Sequence, residues 1–192
     1  MGTAEPEFER EIGELHRAYA GALRHFAFTF TADEELCQDA VQEAFLRYFV
    51  ERRYGRSIAN PRAWLYRAVR NYELDHLKGA AVRREVAVER AERLFAQQRD
   101  PEAMAERSET AREIVAAMTD RELECLRLRA EGLSDREIGE ALVVSCGTVG
   151  AVLSRVQAKL RNLGGPGRAW TFAGAVKGGV KVSHRGGERG DH

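Results

Sequence analysis

Between Arg52 and Lys78 the 192-residue chain gathers side chains suited to handling nucleic acid. Arg52, Arg53, Arg56, Arg62, Arg67, Arg70 and Lys78 stand against only Glu73 and Asp75, with Tyr54, Trp64, Tyr66 and Tyr72 interleaved. Basic groups neutralise phosphates, and aromatic faces stack on bases that have left a duplex. Capturing such a base offsets the cost of disrupting the stack, roughly a few kcal/mol. Apolar spacing gives Trp64 and Leu65 a competing reading as core residues, and Asp75 can pair with a nearby arginine.

Two further constellations flank this strip. Upstream, Asp39, Gln42 and Glu43 are polar positions beside an apolar stripe, and Asp39 and Glu43 are four residues apart, on one helix face. An acidic face carrying an amide suits docking onto a basic helical surface, although such a face also occurs simply solvated. Downstream, Ile138, Gly139, Leu142, Val144, Val149 and Val152 fall where two helices crossing at a tight turn need apolar or small residues. In a DNA-binding helix-turn-helix the second helix enters the major groove and its N-terminal residues meet base edges. That nominates Ser145, Thr148, Ala151, Ser154 and Arg155 for base edges, with Lys159 and Arg161 near phosphates. A helical hairpin that only builds a core is the alternative. Gly150, Ala151 and Val152 make side-chain contacts sparse, and Val143, β-branched where a turn favours glycine, predicts a turn of altered detail.

The elements that must position these groups read as helices throughout, so the expected fold class is all-α. Thr31-Ala32-Asp33-Glu34, Thr119-Asp120-Arg121-Glu122 and Ser134-Asp135-Arg136-Glu137 have the form of capping boxes, and Asn60-Pro61 places an N-cap ahead of a proline at the first helical position. Apolar periodicity adds a helix carrying Ile12, Leu15, Tyr19, Leu23 and Phe26, one with Leu36, Ala40, Val41, Ala44, Phe45 and Tyr48, and one with Trp64, Leu65, Ala68, Val69 and Leu77. The second helix of the helix-turn-helix is expected over about 147–160, capped by Ser145. The organisation predicted is two small helical domains, an N-terminal bundle over 8–82 and a second domain over 112–163. A linker over 83–111, rich in Glu, Arg and Ala, joins them, and a Gly-rich basic tail fills 164–192.

Composition narrows the function classes. Thirty basic residues balance thirty acidic ones, which argues against a histone-like coating protein but leaves locally clustered DNA binding open. Cys37, Cys125 and Cys146 are far apart and share no ligand spacing with the five histidines, so no metal, disulfide or other cofactor is expected and a reducing cytoplasm fits. The first residues are acidic where a signal peptide is basic, and no apolar run reaches the length of a membrane span. No nucleophile–base set or phosphate-binding glycine loop points to an enzyme.

Asp39-Ala40-Val41-Gln42-Glu43-Ala44-Phe45 and Pro61-Arg62-Ala63-Trp64-Leu65-Tyr66-Arg67-Ala68-Val69-Arg70-Asn71 resemble region 2 of extracytoplasmic-function sigma factors, in the sigma-70 family. Residues 119–163 look like the region 4 of the same family, with Glu137-Ile138-Gly139 and Gly147-Thr148-Val149. The resemblance implies that Asp39, Gln42, Glu43 and Phe45 bind core RNA polymerase at the clamp coiled coil, with the flap a second contact. It implies that Arg53, Arg56, Asn60, Arg62, Trp64 and Tyr66 form the minus-ten base pocket, that Arg67, Arg70 and Asn71 line the strand path, and that region 4 meets the minus-thirty-five duplex. It also implies an anti-sigma partner. Met118 to Ser145 resembles, in addition, the DNA-binding domain of LuxR/NarL-type response regulators, whose α/β receiver domain no upstream strand pattern supports.

Overall fold

A computed structural model describes residues 4–31, 33–76, 113 and 115–164. Leu77, the linker over 83–111 and the tail beyond Gly164 lie outside them. Regular structure among the described residues is entirely helical: α1 (Ala4–Ala27), α2 (Glu34–Arg53), α3 (Pro61–His76), α4 (Asp120–Ala130), α5 (Asp135–Leu142) and α6 (Cys146–Gly164). None of these helices is long and apolar enough alone to cross a membrane.

The helix starts follow from local chemistry. Thr119 and Ser134 each accept from the backbone N–H three residues on, while Glu122 and Glu137 accept the N–H of Thr119 and Ser134, both at 2.8 Å. Asn60 Oδ1 accepts the Ala63 N–H at 3.1 Å ahead of α3. At α2 the expected box is replaced: the cap is Asp33, whose carboxylate accepts from Glu35 and Leu36 at 3.0 and 3.2 Å, while Thr31 Oγ1 accepts the Asp33 N–H. A carboxylate both caps these amides and meets the positive end of the helix dipole, so the aspartate displaces the threonine.

The first three helices close around Leu23, Phe26, Ala40, Ala44, Tyr48, Leu65, Tyr66 and Val69. Phe26 stands edge-on to Phe30 at 5.2 Å and to Tyr66 at 5.0 Å. Glu11 ties α1 to α2 by accepting from Tyr48 Oη at 2.7 Å and Arg52 Nη2 at 2.9 Å. Its partial burial works against ionisation, but these two donors hold the carboxyl below its ordinary range. The core does not stop at the bundle: Leu128, Leu133, Ile138, Leu142, Val149 and Leu153 belong to the same buried cluster, because α5 packs on α3. A second cluster, Val115, Met118, Leu123, Val156 and Leu160, joins α4 to α6.

Glu73, counted in the sequence among the charges of the basic strip, is fully buried on α3, and neither carboxyl oxygen has a hydrogen-bond partner among the described residues. Burial, aided by the Asp33 carboxylate, pushes this carboxyl from the usual 4.5 up to about 8. Folding therefore takes up a proton between those values, where the unfolded chain has already released it, so stability falls as pH rises through that window and levels off above it. Urea denaturation should show the wild type losing on the order of a few kcal/mol between about pH 5 and pH 8, while Glu73→Gln stays nearly flat. Parallel pH dependence in the two proteins would exclude a buried, proton-binding Glu73.

Candidate nucleic-acid interface and docking face

On α2 the core takes positions 37, 40, 41, 44, 45 and 48, which leaves Asp39 and Gln42 exposed and Glu43 half-buried beside them. Glu43 accepts from Arg47 Nε at 2.7 Å, one turn on. Burial, then the charges of Asp39 and Glu43, raises the Tyr72 hydroxyl pKa, so α3 contributes to the surroundings of this acidic patch. Phe45 departs from the expected docking set. It is only 7% exposed and its ring lies 4.9 Å from that of His16, because the helical period turns it toward α1. It forms part of the wall of an open groove of about 590 Å³ between α1 and α2, which His16, Arg24, Gln38 and Gln42 also line. Leu46, Val50 and Tyr54 extend the surface at four-residue spacing, 56%, 41% and 80% exposed. The sequence reading missed Leu46 and Val50, although two large apolar side chains outside the core stripe were the available signal, and it counted Tyr54 with the basic strip.

The basic strip begins where α2 ends. Gly55, at φ 77°, turns the chain out of the helix in a conformation that suits glycine. Arg53 and Tyr54 are solvent-exposed, and Arg56 is exposed while paired with both oxygens of Glu51 at 2.7 and 2.9 Å. On α3, Arg67 is half-buried and Asn71 is exposed, accepting from Arg70 at 3.0 Å. Asn60, Arg62 and Arg70 are engaged by α4, α5 and the turn between them: Asn60 Nδ2 donates to Glu140 at 2.6 Å, Arg62 donates to Glu137 at 3.2 Å and to the Glu131 carbonyl at 2.9 Å, and Arg70 donates to Glu124 at 2.6 Å. Tyr66 is a correction to the expected base pocket. At 1% exposure its ring is a core element, and burial holds its hydroxyl well above the usual tyrosine range. Trp64 is half-buried and stands edge-on to Tyr48 at 5.6 Å, so its packing role is the observed one.

In the helix-turn-helix, Ser145 accepts the Thr148 N–H at 3.1 Å, and the two hydroxyls are 2.8 Å apart. With Ala151, Ser154 and Arg155 they form one exposed face at the start of α6, with Ser154 and Arg155 three and four positions beyond Ala151. Lys159 departs from the expected phosphate role. Its ammonium donates to Glu122 at 2.7 Å and to the Ala117 carbonyl at 2.8 Å, which makes it a strut between α6 and the start of α4. Glu122 is partly buried, yet hydrogen bonds from Lys159 and Thr119 hold its carboxyl below the ordinary value. Arg161 remains exposed. Val143 takes the left-handed conformation at φ 57°, so the turn keeps the geometry that a glycine would give and the valine carries the strain, with its side chain in solvent.

Comparison with known families agrees with both modules. Residues 15–83 match the family model for sigma-70 region 2, and residues 116–162 match that for bacterial regulatory proteins of the luxR family. A sigma-70 region 2 match ahead of a luxR-type helix-turn-helix match is the class of architecture to which this chain is similar. It is similar to the ECF RNA polymerase sigma factor SigE of Mycolicibacterium smegmatis, 29% identical over 78% of this chain and 60% of the relative. It is also similar to the ECF RNA polymerase sigma factor SigM of Bacillus subtilis, 29% identical over 35% of this chain and 40% of that one. Both alignments thus span less than two thirds of the relative's length. The luxR-type match accounts for the resemblance to response regulators seen in the sequence.

The helix-turn-helix depends on one close approach. A Cβ at Gly139 would lie 2.8 Å from the Val144 carbonyl oxygen, a backbone atom that cannot swing aside. That turn is also closed by the Val144 N–H donating to the Gly139 carbonyl at 2.9 Å. Gly139→Ala should therefore destabilise the protein by about 1–3 kcal/mol in urea denaturation, despite alanine's better helix propensity. A stabilised variant would show that the turn yields easily.

Proposed function

We propose that this chain is a cytoplasmic sigma factor that binds core RNA polymerase, recognises promoters, promotes strand opening and starts transcription, with no catalysis of its own. The observation that carries the reading is the conjunction within one chain of an acidic docking face, a basic–aromatic strip and a helix-turn-helix, in the order that sigma-70 factors use. Asp39, Gln42 and Glu43 project from α2 as a polar patch for the polymerase clamp coiled coil, with the exposed Leu46 and Val50 beside it. Phe45 supports that face from beneath.

Strand opening is assigned to the end of α2, the following loop and α3. Arg53 and Arg56 meet phosphate, the exposed ring of Tyr54 offers a stacking surface, and Arg67, Arg70 and Asn71 lie further along. The exposed α6 face, from Ser145 to Arg155, reads the upstream duplex, with the polymerase flap as the natural neighbour of this module. Its short side chains leave much of the phosphate contact to Arg155, Arg161 and backbone amides. An anti-sigma protein is the expected regulator.

Transcription with purified core polymerase tests this. The full chain should form a holoenzyme that starts transcripts on a cognate promoter, whereas a response-regulator-type protein would bind its operator alone and leave core polymerase inactive. Reversing charge in Asp39→Arg/Glu43→Arg should weaken core binding at least about tenfold, the equivalent of about 1.4 kcal/mol, with an unchanged circular dichroism spectrum. Normal core binding by that variant would remove α2 as the docking face. Tyr54→Ala should leave core binding intact and cost open-complex formation about 1–3 kcal/mol, the worth of one stacked base. Equal open-complex stability in the two proteins would free Tyr54 of a stacking role.

A further inference from the structure

Helix α6 is short of polar groups on the side where a duplex reader uses them. Val149, Val152 and Val156 are buried and fix the phase of the helix, which leaves Thr148, Ala151, Ser154 and Arg155 in solvent over its first turns. Ser145 Oγ accepts the Thr148 N–H at 3.1 Å and lies 2.8 Å from Thr148 Oγ1. Two hydroxyls carry two hydrogens, and one is spent between them whichever oxygen is the donor. The pair therefore keeps one hydrogen for an outside acceptor. The same bond ties one branch of the Thr148 β-carbon back to the helix cap. The other branch, a methyl group, is what this side chain has left for a ligand. Ala151, three residues on, adds a second methyl to the same face.

We propose that Thr148 determines base specificity: its methyl, with that of Ala151, seats the C5 methyl of one thymine in the upstream duplex. The inference rests on the proposed function, in which α6 reads that duplex, and it names the base chemistry that is read. Thymine is the base whose major-groove edge carries a methyl, and beside it stands the O4 acceptor, a partner for the remaining hydroxyl hydrogen. Cytosine lacks the methyl and places an amino donor where thymine has O4. Adenine is read bidentately by Asn or Gln, and the stretch from Thr148 to Arg155 holds neither. Arg155, one turn beyond Ala151, keeps its assignment to phosphate.

A glycine beside Thr148 supports the close approach that short side chains need. Gly147 is exposed, and a Cβ there would meet only Ser145 Oγ at 3.9 Å, an ordinary contact. Packing within the protein does not require glycine at this position. Gly139 on the preceding helix is the contrast, since its Cβ would run into backbone at 2.8 Å. With no side chain at 147, the start of α6 can come nearer to the base edges, and Thr148 and Ala151 then reach a methyl that a longer neighbour would hold off.

The test first selects the DNA. Random-sequence duplexes are taken through rounds of binding to the full chain with core polymerase and, in a parallel arm, to the full chain alone. Affinity is then measured on the enriched duplex with each thymine of its upstream element replaced in turn by deoxyuridine, which removes the C5 methyl and keeps the hydrogen-bonding edge. For the wild type, one replacement should weaken binding about fourfold, the worth of one buried methyl. Thr148→Ser keeps the hydroxyl and loses the methyl. It should cut that ratio to about twofold or less, the share left to Ala151. Thr148→Val keeps a methyl and loses the hydroxyl, and should hold the wild-type ratio. Each ratio compares two duplexes on one protein, so a loss of folded protein cancels.

Equal wild-type affinity for thymine and deoxyuridine at every upstream position would overturn the proposal. An undiminished ratio in Thr148→Ser, or a ratio near one in Thr148→Val, does the same, and so does a failure to enrich any sequence in both arms. Enrichment by the chain alone, with core polymerase left inactive, would instead remove the sigma-factor reading. The deoxyuridine ratios on that duplex would still decide the role of Thr148.

Discussion

Helix α3 is packed from two sides, and the rest of the structure depends on how it is shared. One side, Leu65, Tyr66 and Val69, closes the bundle core against α1 and α2. The other is polar, and α5 packs against the same helix with carboxylates that meet Arg62 and Asn60. Because one rigid helix carries both contacts, anything that moves α5 away exposes polar groups already held in place by the core. On the proposed reading of α3 as a strand-binding helix, its polar groups are ordered before DNA arrives. That is preorganisation, and it lowers the ordering cost of binding.

The proposed binding of a polyanion by a chain with no net charge rests on local clustering of charge. Thirty basic and thirty acidic residues are not evenly mixed over the surface. Glu124, Glu137 and Glu140 sit opposite the arginine and amide groups of α3, Glu43 and Asp39 lie together on α2, and Glu122 is consumed by Lys159 inside the second module. A carboxylate paired within the fold contributes little repulsion to an approaching phosphate compared with a free one.

Much of the fold was legible because it is written in short-range chemistry. Capping boxes at Thr119 and Ser134, the Asn60 cap and the apolar stripes depend on spacings of three or four residues, and these the sequence displays directly. The small size required at Gly139 was legible for the same reason. The misreadings share a different cause. Thr31 and Asp33 both look like caps, and only the competition between a hydroxyl and a carboxylate for the same amides selects Asp33. Tyr66 and Phe45 carry the residue types of a binding surface, but their helical phase turns them inward. Lys159 and Glu73 depended on partners or burial set by other helices, which no local pattern encodes.

The contact between the modules was invisible for a stronger reason. Arg70 and Glu124 are 54 positions apart, and Arg62 and Glu137 are 75 apart, so neither pairing leaves a periodic trace. Charge alone suggested a basic strip free for phosphate, whereas Asn60, Arg62 and Arg70 are engaged by the second module. A row of exposed arginines attracts any available nucleic acid, since phosphate neutralisation is blind to sequence. In this fold Glu137 and Glu124 of the second module pair with Arg62 and Arg70.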